Sequence, residues 1–434
     1  MCAVATKWTI ITTKMKYPQL VTDRSHQYSS ANLMKPLYPF LLLVALSCSA
    51  CSGEGDRWDN SKYIHVADVK PGMVGYGLSV FSGSRIDKFD VKVVSIVSNL
   101  VSPKCDVILI SYSTDQQKQP GPVEGMSGSP VYLYDLDDTQ HLHPRLAGAY
   151  AFGFEWQSAS VVGVQPIEYM LKIPDPVAAQ DGNISENPNG KAHWSLADVP
   201  GLPGMTRNGA GFTVPSVARV PNNGVKLLAT PMMVTGLRPA VVKEFGPMFA
   251  AAGLDLQEGG ASAATRGSEE IKMEPGSVLV APLLIGDTEA SASGTCTLVL
   301  GNRVYAFGHE FNNEGPISLP MGNGTVATLI ENLHSNFKLA TMSNLCGTLT
   351  NDQTVGVAGI LGAPPAMAPI KLHIHYADGS LDQNYSFSAA IHPTFTPLAT
   401  AMAVATSITG VKNLPEYHTL RYDLKLEFAD GRTV

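Results

Sequence analysis

Gly125-Met126-Ser127-Gly128-Ser129-Pro130, leading straight into Val131-Tyr132-Leu133-Tyr134, decides how this chain is read. A polar loop with Pro and Gly precedes it, and the four residues after it are β-branched, aromatic or aliphatic, as a short strand requires. A serine between two glycines, on a tight turn entering a strand, is well placed to act as a nucleophile. The glycines permit unusual backbone dihedrals and close approach of a substrate. Amide N–H groups on such a turn can converge on one point and stabilise an oxyanion, which nominates Gly125 and Ser127 as donors.

Outward from this turn the chain reads as mainly β. Residues 78–81 (LSVF), 86–97 (IDKFDVKVVSIV), 105–111 (CDVILIS), 145–154 (RLAGAYAFGF) and 161–164 (VVGV) are strand-like, and residues 166–171 (PIEYML) form a short helix. With residues 131–134 they give about six strands, enough for one small barrel or sandwich. This sets a Ser-bearing β domain at 62–173. Residues 174–225 are rich in Pro, Gly, Asn and Asp and read as a linker or surface excursion.

A second β region follows at 226–395. Residues 227–234 read as a strand. Val241, Val242, Phe245, Met248 and Phe249 recur at helical spacing over 238–252, with Gly253 as the stop. Residues 257–270 are small and polar and read as a loop. Residues 294–300 and 303–306 read as a hairpin across Gly301-Asn302. Residues 396–434 are expected to hold a C-terminal helix and strand. Leu420, Tyr422, Leu424, Leu426 and Phe428 alternate, and the turn at 429–432 has no return strand, so a missing portion or a partner's strand is expected there.

Forty glycines and 30 prolines in 434 residues fit many short strands joined by turns, and the length suffices for two or three cores. The net charge of −7 gives no reason to expect nucleic acid as a partner. The N-terminus reads as an export signal once Met34 is taken as the start. Met34-Lys35 supplies a basic region, residues 40–46 (FLLLVAL) a short apolar run, and Ser49-Ala50 small residues before Cys51. The apolar run is too short to span a bilayer, which needs about 20 residues. Residues 34–51 are thus a lipoprotein-type signal with Cys51 as the lipidation site. Residues 1–33 are an upstream start outside the folded protein, and the protein is expected in a bacterial envelope, anchored to membrane by lipid. Cys105, Cys296 and Cys346 remain beyond this signal without a C-x-x-C, so no metal or redox cofactor is inferred. His373 and His375 flank Ile374 and share a strand face; that pair reads as a solvated surface.

A second chemical site lies at Phe307-Gly308-His309-Glu310-Phe311, where a histidine just past a strand could reach into a cleft. Beyond it lies Gly347-Thr348-Leu349-Thr350-Asn351-Asp352.

Taken together, Gly72-Met73-Val74-Gly75-Tyr76-Gly77, the serine hexapeptide, Phe307-Gly308-His309, Phe337-Lys338-Leu339-Ala340 and the segment ending at Asp352 resemble the SpoIVB-type serine peptidases, peptidase family 55. The hexapeptide also resembles the G-x-S-G-x-P of chymotrypsin-like proteases. The resemblance covers most of residues 66–395 and implies a chymotrypsin-like double β-barrel with a few short helices, and serine endopeptidase chemistry on a protein or peptide substrate. It implies Ser127 as nucleophile and His309 as base. This chain departs from the sporulation protease in placing the serine before the histidine and in lacking a PDZ-like segment ahead of the serine motif. Triad chemistry depends on geometry and tolerates such a change of order. Two acids compete. Asp352 follows His309 at an interval close to the roughly 45 residues of chymotrypsin-type enzymes, and Asp115 lies in the loop before Ser127. The alternative function is a catalytically silent envelope protein that uses the same scaffold for binding.

Overall fold

The computed structural model describes residues 5–12, 57–118, 121–154, 159–176, 225–228, 230–251, 253–259, 271–331, 336–379, 382–410, 419–425 and 427. Cys51, the signal at 34–51, most of the segment 174–225 and the turn at 429–432 lie outside the described residues.

Strands are numbered in chain order, beginning with β1 (Ala5–Thr12). The first sheet contains β2 (Val74–Ser82), β3 (Arg85–Val97), β4 (Val107–Ser113), β6 (Pro130–Leu133), β7 (Arg145–Phe154), β8 (Val161–Pro166) and β9 (Val225–Leu227); β5 (Val123–Glu124) pairs elsewhere. Its order is β6-β2-β3-β4-β8-β7-β9, and a further β6–β7 pairing closes six of these strands into an antiparallel barrel. The sequence explains the closure. Along β3, Phe89, Val91 and Val93 point inward and Lys88, Asp90 and Lys92 outward. They pack with Ile108, Ile110, Tyr112, Val131 and Tyr150 into one core. Strand β7 is buried along nearly its whole length because its outer face lies against the second half of the protein.

The second sheet is built from β10 (Thr230–Thr235), β11 (Leu254–Gly259), β12 (Val278–Gly286), β13 (Glu289–Leu300), β14 (Arg303–Ala306), β15 (Gly315–Ile330), β16 (Asn336–Gln353), β17 (Gly356–Leu361), β18 (Met367–Tyr376), β19 (Asp382–Ala390) and β20 (Thr419–Lys425), joined by β1 and β5. Its pairings run β12-β13-β14-β17-β16-β15 and return to β12 at Leu279↔Asn323 and Val280↔Gly322. The hairpin between β13 and β14 turns at residues 301–302, with Gly301 at φ +61°. Besides α1 (Ile167–Met170), the helices are α2 (Pro239–Ala251) and α3 (Phe395–Thr409), and α3 buries Leu398, Met402 and Ala403 against the sheet.

Two stretches differ from the sequence reading. Residues 257–259, expected to open a loop, instead complete β11, which pairs in parallel with β10. The backbone there is satisfied by a neighbour, and along this edge strand Gln257 is half-buried and Glu258 exposed. Residues 1–33, expected outside the fold, contain β1, which pairs antiparallel with β18 and parallel with β20. Thr9-Ile10-Ile11-Thr12 is a β-branched run suited to that position.

The halves are joined by main chain as well as by side chains. Gly83, in the turn between β2 and β3, exchanges two hydrogen bonds with Val326 of β15, at 2.7 and 2.9 Å. Val80 packs with Val278, Val280, Val326 and Ala340, so an apolar cluster crosses from one sheet to the other. Strand β5 leaves the barrel to pair with the start of β16, which delivers the serine turn to the boundary between the halves.

Candidate active site

The serine turn is built by two positive-φ glycines, Gly125 at +88° and Gly128 at +96°, a region that disfavours side chains. Three backbone hydrogen bonds shape it: Met126 N–H to Val123 O, Ser129 N–H to Met126 O, and Gly128 N–H to Tyr150 O. The Ser127 amide is not among the donors. Ser127 is buried, and its Oγ has no hydrogen-bond partner. A buried hydroxyl without a partner costs about 1–3 kcal/mol, so its retention calls for a reason.

The second half braces this turn at three points. Thr295 N–H donates to Ser127 O at 2.8 Å, Thr295 Oγ1 donates to Gly125 O at 2.9 Å, and Thr297 Oγ1 donates to Gly128 O at 2.7 Å. The approach is close. A Cβ on Gly128 would stand 2.0 Å from Thr295 O and 2.5 Å from Phe307 N. The serine turn therefore lies directly against the turn that presents His309.

The histidine turn is strained. Phe307 adopts φ +65° and Gly308 φ +70°, and Phe307 is fully buried. A bulky residue at positive φ is an outlier, and such strain collects at functional sites. The Phe307 ring is roughly parallel to the His309 imidazole, and Gly294 is needed beside it, because a Cβ there would lie 1.9 Å from the ring. His309 is buried, and its Nδ1 lies 2.7 Å from the Glu310 carbonyl. A carbonyl only accepts, so Nδ1 carries the proton and Nε2 is the basic nitrogen.

Neither expected acid holds that imidazole. Asp352 is buried in the same half, but its carboxylate accepts from the amides of Phe311 at 2.7 Å, Asn312 at 2.6 Å and Glu314 at 3.4 Å. It fastens the loop after His309, while the Glu310 carbonyl takes the Nδ1 position of a triad acid. Burial pushes its pKa up to about 6 despite the opposing effect of those amides. The far end of that loop is anchored too: His392 Nδ1 accepts from Thr394 and Phe395 amides, and Nε2 reaches Glu314 at 2.7 Å. Asp115 is exposed in the loop after β4, away from the burial that Ser127 and His309 share.

One buried group beside the serine turn had no assigned role. Lys338, in the Phe337–Ala340 segment, is buried, with its Nζ 2.6 Å from Ser79 Oγ and 3.5 Å from Thr295 Oγ1. Ser79 Oγ and Ser129 Oγ share a hydrogen bond of 2.8 Å. Burial, with no opposing charge, pushes the amine down to about 7. The signal was a lysine set between Phe337 and Leu339 in an apolar strand.

His373 and His375 share a face as expected and both approach Asp382, at 3.2 and 3.4 Å. Among the described residues no group of three ligating side chains is placed to hold a metal, and no helix is long and apolar enough to cross a membrane. A hollow of about 600 Å³ lies on the outside of the first barrel, lined by residues that include Tyr76, Lys88, Lys92, Tyr134 and His141; neither Ser127 nor His309 lines it. No protein-family model, curated protein or solved structure matches the chain.

Proposed function

We propose that this chain is an exported serine endopeptidase of SpoIVB type, working with a Ser127–His309 pair on a chymotrypsin-like double β-barrel. The observation that carries the reading is the unpartnered Ser127 hydroxyl, buried on a glycine turn that packs on the strained turn bearing His309. The returning ring of pairings in the second sheet supports a second barrel.

In this mechanism His309 Nε2 takes the Ser127 proton as Oγ attacks a peptide carbonyl. The Ser127 and Gly125 amides receive the oxyanion, where losing one donor typically costs about 3 kcal/mol of transition-state stabilisation. The imidazolium gives its proton to the leaving amine, and water releases the acyl group by the reverse sequence. The Glu310 carbonyl holds Nδ1–H throughout and Asp352 holds the loop. Export and lipidation at Cys51 belong to the same proposal.

The second reading is a silent binding protein. It is favoured by the burial of Ser127 and His309 and by the position of the 600 Å³ hollow on the opposite kind of surface, the solvent face of the first barrel. Fluorophosphonate labelling of the purified protein separates the two. The enzyme reading expects labelling of wild type that is lost in Ser127→Ala and in His309→Ala, with both variants folded. A folded wild type that stays unlabelled, or a Ser127→Ala variant that labels equally, rejects it.

A further inference from the structure

We propose that Lys338 is the positioning residue of the serine turn, tying both of its ends through two hydroxyls and so fixing where Ser127 Oγ stands against the turn that bears His309. This rests on the peptidase reading for its catalytic part only.

The contacts bracket the nucleophile. From the amine, one path runs through Ser79 to Ser129, two residues after Ser127. The other runs through Thr295 to the carbonyl of Gly125, two residues before it. The turn also lies on the lysine stem, since a Cβ on Gly125 would stand 3.3 Å from Lys338 Cβ and 3.5 Å from Cδ. A purely structural stem would be served by a methionine, and burying an amine carries a desolvation cost that an apolar side chain avoids.

The groups facing the amine are Ser79 and Phe81 from β2, Gly125 from the serine turn and Thr295 from β13. None of these titrates; the nearest carboxyl in register is that of buried Glu124, on β5 opposite Phe337. An uncharged amine has two N–H groups for the two hydroxyl oxygens it meets. Protonation adds a third N–H and a positive charge, which burial disfavours. The lowered pKa of the amine fits the uncharged form at and above neutral pH. Working enzyme thus requires both His309 and Lys338 without their extra protons.

The test uses the full chain and its Lys338→Met and Lys338→Arg variants, with two readouts. The first is the rate of fluorophosphonate labelling against pH and probe concentration. The proposal expects Lys338→Met to lower the limiting rate about tenfold or more with little change in the probe's half-saturation. The fall of log rate on the acid side should change from a slope of about two in wild type to about one in Lys338→Met. Lys338→Arg, permanently charged, should be slow at every pH. A folded Lys338→Met with the wild-type limiting rate and wild-type pH profile overturns the proposal. The second readout is amide exchange at Gly128 and Ser129, which does not need activity. Faster exchange there in Lys338→Met, with the Phe311 and Asn312 amides unchanged, is expected even if wild type proves unlabelled. Unchanged exchange at the serine turn overturns the positioning role whatever the fate of the peptidase reading.

Discussion

The serine turn and the histidine turn meet face to face but are built in different ways. The serine turn takes its positive dihedrals at two glycines and receives its braces from the other half, through Thr295, Thr297 and the Lys338–Ser79 link. The histidine turn takes a positive dihedral at a phenylalanine and is fastened from within its own half by Asp352 and, through Glu314, by His392. One turn is relaxed in its backbone and depends on the interface. The other is strained in its backbone and depends on a local carboxylate. Two turns that meet across the halves of a fold need not be supported symmetrically.

The strongest test of this contrast is Gly128→Ala. It combines an unfavourable φ with a Cβ 2.0 Å from a backbone oxygen that cannot swing away, so a loss of about 4 kcal/mol in chemical denaturation is expected. A stability within 1 kcal/mol of wild type would mean that the turn is not clamped as described.

Next comes Asp352→Asn. If Asp352 only fastens the loop, labelling should slow about tenfold and stability fall about 2 kcal/mol, because one oxygen cannot replace two in receiving amides. A loss near 10⁴-fold would restore it as the acid of a triad. Its pH signature has a definite sign. A carboxyl raised from 3.8 to about 6 contributes stability that is present below pH 4 and lost as pH rises through 6. The stability difference between wild type and Asp352→Asn should therefore shift against wild type across that window.

Lys338→Met sharpens the other side of the comparison. The amine is lowered in the fold from 10.5 to about 7, so the unfolded chain binds more protons between those values. Wild-type stability gains about 1.4 kcal/mol per pH unit from this group as pH rises through the window, and the full cost is present below 7. The methionine variant should lack that slope and be the more stable protein at pH 7, as urea melts at several pH values will report.

Thr297→Val should have the smallest effect, about 1 kcal/mol, since it leaves only Gly128 O short of a donor.

Much of the β framework could be read from local pattern. The alternation of Phe89, Val91 and Val93 gave β3 its inward face, Gly301-Asn302 marked the hairpin of β13 and β14, and the apolar spacing from Val241 to Phe249 found α2. The serine and histidine turns were legible because glycine spacing reports backbone geometry directly. The acid was not. An interval between His309 and Asp352 says that both lie in one half and cannot say which donors the carboxylate meets; that depends on how residues 311–314 turn. The braces were equally hidden. Thr295 and Thr297 look like ordinary strand threonines, and only the tertiary fold sets them on Gly125 and Gly128. Strand β11 was missed because parallel pairing at an edge tolerates polar residues that resemble a loop.

The braces on the serine turn come from 170 and 169 residues further along the chain than the carbonyls they hold. The half that carries Ser127 is synthesised first and cannot finish its own turn. Until β13 has been made and docked, Gly125 and Gly128 lack their clamps and His309 is not yet present. Chain order thus acts as a timer: a chain emerging from the ribosome carries an unfinished serine turn through the period when its neighbours are still unfolded.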